Sequence, residues 1–146
     1  MSTVAQRLQA DVTQLKQQLL AQSLKPEQLP AIATRTLRSL ADVRSNGEEE
    51  RYSHSDLNGF AANLDGTRKI VDLLRPLLTR SADELLQKID AAMADLDTTL
   101  DALSTADGYR PYDQVDAAQR QQIAAKAGAL ADALDGIDSA LGLSDL

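Results

Sequence analysis

Apolar residues recur at every third or fourth position along most of this chain, a spacing that places them on one face of a helix. The first stripe predicts a helix over residues 3–22. The second predicts a helix that begins at Pro26 or Pro30, because proline suits the first turn, and ends at Asn46 and Gly47, because glycine readily adopts the left-handed conformation that ends helices. The two stripes comprise Val4, Leu8, Val12, Leu15 and Leu19, and then Leu29, Ile32 or Ala33, Leu37, Leu40 and Val43.

Two more helices are predicted to start at capping boxes, in which a serine precedes an acidic residue by three positions. Ser53 with Asp56 forms the first box, and Ser81 with Glu84 forms the second. The apolar stripes that follow are Leu57, Phe60, Leu64, Val71, Leu74 and Leu78, and then Leu86, Ile89, Met93, Leu96, Leu100 and Leu103.

The third predicted helix contains residues that interrupt helices. Pro76 predicts a kink or an end, because its ring removes the hydrogen bond to residue 72. Gly59 and Gly66 each weaken the helix by roughly 1 kcal/mol relative to alanine. A close approach of another backbone is one explanation for these two glycines.

Residues 106–113 include Tyr109, Pro111 and Tyr112 and predict a structured loop. Asp116 with Gln119 forms a third capping box, which predicts a last helix. Its stripe comprises Ile123, Ala127, Leu130, Leu134, Ile137 and Leu141. No segment alternates as a strand does. The predicted fold is therefore all-α, an up-and-down helical bundle of about four long helices with one extra short or kinked segment.

At 146 residues the chain has the size of one domain, so a single helical-bundle domain over residues 1–146 is predicted. No apolar run is long enough to span a membrane, so we expect no membrane insertion. A net charge of −7 opposes binding to nucleic acid and favours the attraction of cations. Because the sequence has no cysteine, disulfides, zinc–thiolate sites and thiol nucleophiles are excluded.

Candidate chemistry gathers in residues 46–57, between the second and third predicted helices. This stretch contains Glu48, Glu49, Glu50, Arg51, Tyr52, His54, which is the only histidine of the chain, and Asp56. Carboxylates with one imidazole suit iron or another divalent cation. The alternative is a solvated loop, because runs of charge are mostly exposed.

Two further chemistries are weaker candidates. Ser53 and Ser55 flank His54, but adjacent residues in a helix cap rarely point at one another, so we do not expect a serine nucleophile. Tyr109 and Tyr112 would either stack on a ligand or, as is commoner, seal one end of the bundle.

The acidic stretch and the residues after it resemble a known family. Gly-Glu-Glu-Glu-Arg-Tyr-Ser-His-Ser-Asp-Leu over residues 47–57 is followed by Lys-Ile-Val-Asp-Leu-Leu-Arg-Pro over residues 69–76 and by Asp-Gly-Tyr over residues 107–109. Together these segments resemble the imelysin-like, peptidase-M75-type domain of the EfeO iron-uptake family. The resemblance spans nearly the whole chain.

The resemblance implies that this chain corresponds to the C-terminal half of a domain built from two related helical bundles. The family's His-x-x-Glu motif belongs to the other half, so we predict no enzymatic activity. The resemblance carries over as candidate metal ligands Glu48, Glu49, His54 and Asp56, with Arg51 and Tyr52 as further cleft residues. It also implies a periplasmic location, whereas the first residues lack the apolar region of a secretory signal and leave a cytoplasmic location open.

Two functions are predicted. The first is a metal-binding or iron-uptake accessory protein of the cell envelope, which presents its acidic stretch to a cation and works with iron-uptake components. The second is a non-enzymatic helical module that pairs with itself or with a separate first-half protein. For self-pairing we expect a two-fold homodimer that buries the third helix, where Gly59 and Gly66 permit close approach.

Overall fold

The computed structural model of the protein describes residues 3–22, 25, 28–42 and 44–143. Its helices are α1 (Thr3–Ala21), α2 (Leu29–Asp42), α3 (Asp56–Ser81), α4 (Asp83–Asp101), α5 (Ala117–Leu134) and the short α6 (Gly136–Leu141), with 3₁₀ turns at Arg44–Asn46 and Tyr112–Gln114. The all-α prediction is confirmed. The predicted start of the second helix at Pro26 and its stripe residue Val43 lie outside the described residues.

Helices α2 to α5 form the bundle. α2 packs on α3 and α5, and α4 packs on the same two helices, so that each helix has two neighbours around one core. The stripes predicted for α3 and α4 are buried throughout, so the core is mainly aliphatic, with Phe60 as the aromatic residue of these stripes. α5 contributes Ile123, Ala127, Leu130, Ala131 and Leu134.

Ion pairs join neighbouring helices at the rim of the bundle. The Arg75 guanidinium of α3 donates to both carboxylate oxygens of Asp90 in α4, at 2.7 and 2.8 Å. This contact lowers the pKa of the Asp90 carboxyl, because the hydrogen bonds and the positive charge favour its ionised form. About two turns away, Arg68 donates to Asp97 at 2.9 Å. Both pairs are partly exposed, so each contributes less than about 1 kcal/mol.

Two of the three predicted capping boxes are wrong. Helix α3 begins at Asp56, and its N-cap Ser55 makes no side-chain capping bond. The Ser53 hydroxyl instead donates to Glu50, because the chain turns sharply before the helix. The Ser81 hydroxyl donates back to the carbonyl of Leu77, since α3 continues as far as Ser81.

The third box is confirmed at the start of α5. The Asp116 carboxylate accepts from the Gln119 backbone N–H at 2.8 Å, and the Gln119 side-chain oxygen accepts from the Asp116 backbone N–H at 3.2 Å. The helix predicted to follow it is divided, because α5 ends at Leu134 and α6 begins at Gly136.

Helix α3 continues as a helix through Pro76 instead of ending there. The proline costs about 3 kcal/mol locally. Val71, Leu74 and Leu78, on either side of it, are all buried in the core. Burial of this continuous stripe outweighs the missing hydrogen bond, since each such side chain contributes roughly 1.5–3 kcal/mol.

The predicted absence of strands is also wrong in one detail. Ser104–Thr105 (β1) and Gly108–Tyr109 (β2) form an antiparallel ladder in which Ser104 pairs with Tyr109. Strands of two residues are too short to show a detectable alternation of apolar and polar residues in the sequence.

Helix α1 forms as predicted, but no residue of it is buried. Its large apolar side chains are between 54% and 77% exposed; they are Val4, Leu8, Val12, Leu15, Leu19 and Leu20. The first stripe therefore adds nothing to the core of the described structure. Among the described helices, none is long and apolar enough to cross a membrane.

Candidate functional site

The acidic loop, residues 46–55, connects α2 and its 3₁₀ turn to α3. The Asn46 side-chain oxygen accepts from the backbone N–H of Glu48 at 2.9 Å, a local turn that asparagine favours. Gly47 has φ +79°, the left-handed conformation predicted for it. These two residues turn the chain out of the helix and direct the glutamates that follow toward solvent.

A second turn closes the far side of the acidic loop. The backbone carbonyl of Glu50 accepts from the His54 backbone N–H at 2.8 Å, and the side-chain carboxylate of Glu50 accepts from the Ser53 hydroxyl at 2.6 Å. The Ser53 and Ser55 hydroxyls lie 2.9 Å apart. His54 has φ +54°, a conformation that side-chain-bearing residues adopt at a cost of roughly 1–2 kcal/mol. The strain indicates that contacts elsewhere fix the path of this turn.

Tyr112 supplies those contacts and holds both ends of the acidic loop. Its hydroxyl donates to the carbonyl of Ser45 at 2.6 Å, and its backbone N–H donates to the carbonyl of His54 at 2.9 Å. The ring is 1% exposed and meets Phe60 edge to face, with centroids 5.5 Å apart. Tyr112 therefore seals this end of the bundle, the commoner of the two roles considered for it.

Arg120 lies over the Tyr112 ring, with its guanidinium carbon 4.5 Å from the ring centroid. It also donates to the carbonyls of Tyr112 at 2.7 Å, Val115 at 2.9 Å and Asn46 at 3.4 Å. Burial raises the pKa of the Tyr112 phenol, while the Arg120 charge opposes that shift. The phenol thus stays protonated and donates to Ser45 across the physiological range.

Asp56 is a buried carboxylate beneath the acidic loop, at 2% exposure. One of its oxygens accepts from the backbone N–H of Glu50 at 3.3 Å, and the other, Oδ2, is buried with no hydrogen-bond partner among the described residues. Its negative charge contributes to the raised pKa of Tyr112. A buried carboxylate oxygen normally contacts a hydrogen-bond donor or a cation, and Oδ2 has neither among the described residues.

The predicted site residues differ in how far they are buried. The residues exposed on the acidic loop are Glu48, Glu49, Glu50, Arg51 and Tyr52, of which Tyr52 is 95% exposed. His54 is half-buried and Asp56 is buried. Within the described part of the chain, no three His, Cys, Asp or Glu side chains stand close enough together to hold a metal ion. The acidic loop therefore concentrates carboxylates without closing a metal site.

Arg120 and Phe60 were not predicted to take part in the site. Arg120 does leave a signal in the sequence, because a cation in the first turn of a helix opposes the helix dipole and is expected to have another partner. Phe60 was assigned only to the stripe of α3. Its contact with a ring 52 residues later depends on how α3 meets the loop after α4, which periodicity does not reveal.

Residues 1–137 match the sequence model of the imelysin family, Peptidase M75. The chain therefore belongs to the imelysin family, and the resemblance predicted from the acidic stretch is confirmed. It is 38% identical over 143 residues to the iron uptake system component EfeO of Escherichia coli K12. The proteins of the same name from Shigella flexneri and Escherichia coli O157:H7 show the same identity. Each alignment covers 98% of this chain but 38% of the relative, so the chain spans well under half the length of these curated relatives.

Proposed function

We propose that this protein is an iron-uptake accessory protein that binds iron, or another divalent cation, at its acidic loop. The observation that carries the proposal is the presence of consecutive exposed carboxylates on a loop fixed at both ends, in a chain whose relatives are named iron uptake system components. By the same relationship we propose that it acts in the periplasm with other iron-uptake components.

The chemistry of the acidic loop favours a hard, hydrated cation. Glu48 and Glu49 are the first ligands, because both are exposed and oxygen donors suit iron and similar ions. Asp56 is a further ligand, since its buried Oδ2 is without a partner in the described structure. His54 is the fourth candidate, with Arg51 and Tyr52 at the rim of the site.

The proposed site is weak because its ligands are not assembled in advance. Tyr112 and Arg120 fix the ends of the acidic loop, which reduces the entropy lost on binding. The glutamate side chains at its exposed face must still be ordered around the ion. We expect a dissociation constant on the order of 10⁻⁴ M, the magnitude of the weakest calcium-binding loops. A tighter site requires ligands from a second body, such as the rest of a longer imelysin domain.

We also propose that the chain is not an enzyme. The Ser53 hydroxyl is bonded to Glu50 and to Ser55, so it is not paired with His54 as a nucleophile with its base would be. Metal-dependent cleavage of an unstructured protein substrate, abolished by His54→Ala, would contradict this proposal.

Calorimetric titration with ferrous iron under anaerobic conditions tests the cation site. We expect the double variant Glu48→Gln with Glu49→Gln to bind at least about tenfold more weakly than the unaltered chain, a loss of about 1.4 kcal/mol. The matched control is Asp83→Asn with Glu84→Gln, which removes the same charge from an exposed turn of α4. An equal loss in both variants, or a submicromolar affinity that the loop variant retains, would contradict the proposal.

A second candidate function is that of a helical interaction module, and the exposed apolar stripe of α1 favours it. A soluble chain seldom leaves such a stripe uncovered. The module would pair with a second copy, as a homodimer, or with a separate protein that carries the other part of the domain. Light scattering over a concentration series tests self-pairing, and a mass that stays at that of one chain would contradict it.

A further inference from the structure

The exposed stripe of α1 has the residue pattern of a coiled coil. Leu8, Val12, Leu15 and Leu19 are separated by four, three and four positions, the alternation that keeps apolar side chains on one seam of a helix. All four are more than half exposed. We propose that α1 pairs with α1 of a second copy of this chain as a parallel, two-stranded coiled coil.

The residue types along the seam fit two strands. In the heptad register that the spacing defines, Val12 and Leu19 occupy the a positions, and Leu8 and Leu15 occupy the d positions. Val12 is β-branched, and a β-branched residue at a with leucine at d favours a parallel dimer over higher oligomers. Leu19, the other a residue, does not add to this preference. Leu20 falls at a b position, outside the seam.

Charges beside the seam favour the parallel orientation. Asp11 occupies a g position, and Lys16 occupies the e position five residues later. In a parallel pair in register, g of one helix faces the following e of its partner, so Asp11 of each copy meets Lys16 of the other. An antiparallel pair would set these charges opposite Gln18 and Gln9 instead. The parallel dimer thus gains two opposite-charge contacts that the antiparallel one lacks.

Helix α3 fits a second copy less well, although it was the surface predicted for a dimer. Gly66 offers room for a partner, because a Cβ built there would meet no atom of the described part of the chain within 4 Å. Its surroundings are charged, however, since Asp65 and Lys69 are exposed and Arg68 is bonded to Asp97. Burying these groups would cost more than burying the leucines of α1.

The inference rests on the second candidate function, self-pairing, and not on cation binding. Sedimentation equilibrium of the full chain over a wide range of concentrations tests both. We expect a reversible dimer of twice the 15.7 kDa chain mass, and we expect Val12→Lys to raise its dissociation constant at least about tenfold. Val12 is not buried in the described structure, so its replacement leaves the bundle folded, as the helical circular dichroism of the variant will show.

Two control variants distinguish pairing through the seam from non-specific association of exposed leucines. Leu20 is more exposed than Val12 and lies outside the seam, so Leu20→Lys is expected to leave the dissociation constant of the dimer unchanged. Leu73→Lys replaces an exposed leucine of α3, with the same expectation. A dimer that Leu73→Lys disrupts while Val12→Lys leaves it intact would overturn the assignment to α1 but keep self-pairing. A chain that sediments as one copy throughout would overturn both.

Orientation is tested by charge and by cross-linking. Lys16→Asp alone is expected to weaken the dimer, and the exchange Asp11→Lys with Lys16→Asp is expected to restore it. The chain has no cysteine, so Leu8→Cys introduces a single thiol at a d position within α1. We expect oxidation to give a covalent dimer, because parallel helices place both thiols side by side. Failure to cross-link under conditions in which the variant is dimeric would overturn the parallel arrangement.

Discussion

Replacing Gly47 by alanine tests the contact that holds the start of the acidic loop against the bundle. A Cβ built on Gly47 would lie 2.8 Å from Cδ1 and 3.0 Å from Cε1 of Tyr112, closer than carbon atoms pack. The ring cannot move away easily, because it is buried and contacts both Phe60 and the guanidinium of Arg120.

The expected loss of stability has two components. Placing alanine at φ +79° costs roughly 1–2 kcal/mol. Forcing the Tyr112 ring to move adds about 1–3 kcal/mol, the usual effect of an extra carbon in a packed core. We therefore expect Gly47→Ala to lower the free energy of unfolding by about 2–5 kcal/mol, a large share of the 5–15 kcal/mol typical of a domain.

Urea denaturation followed by circular dichroism measures this loss, and Gly142→Ala is the matched control. Gly142 has φ +67°, also left-handed, but a Cβ there would meet no atom of the described residues within 4 Å. The control therefore reports backbone strain alone, expected at roughly 1–2 kcal/mol. Equal losses in the two variants would refute the packing of Gly47 against Tyr112.

Three further predictions concern stability. Tyr112→Phe removes the hydrogen bond to the Ser45 carbonyl and should lower the free energy of unfolding by about 1–3 kcal/mol in urea denaturation. Because burial raises the pKa of the phenol, the difference in stability between the two proteins should keep its full size below a pH of about 10 and shrink as pH rises through the raised pKa. Gly66→Ala should stabilise the chain by up to about 1 kcal/mol, since the helical site is exposed and open, and a destabilised variant would contradict the open surface. Asp90→Asn should lower the free energy of unfolding by less than about 1 kcal/mol at neutral pH. Since the pKa of Asp90 is lowered in the folded state, this contribution is present above the unfolded pKa of about 4 and is lost as pH falls through the folded pKa. A loss of stability that persists in stronger acid would refute the role of Arg75.

The bundle could be predicted from the sequence where burial itself produces the pattern. The stripes of α3 and α4 are apolar because they face a core, so their periodicity identifies both the helices and the buried residues. The Asp116 capping box was also correct, and both of its reciprocal hydrogen bonds form.

The errors arise where a local signal competes with a distant contact. Ser53 has the spacing of an N-cap, but the turn at His54, bonded to Tyr112, places the start of α3 beyond it. The stripe of α1 predicts a buried face and cannot say whether the partner lies in the same chain. Tyr112 and Arg120 hold the start of the acidic loop through hydrogen bonds to the carbonyls of Ser45 and Asn46. These bonds join residues more than 60 positions apart, and no rule based on sequence spacing reaches that far.

The most direct test of the account is the location of a bound cation. Amide NMR spectra recorded with substoichiometric Mn²⁺, a paramagnetic divalent ion with similar ligand preferences, report proximity through line broadening. We predict broadening centred on residues 46–56 that disappears in Glu48→Gln with Glu49→Gln and persists in Asp83→Asn with Glu84→Gln. Broadening centred on another acidic surface, or unchanged in the loop variant, would contradict the assignment of cation binding to the acidic loop.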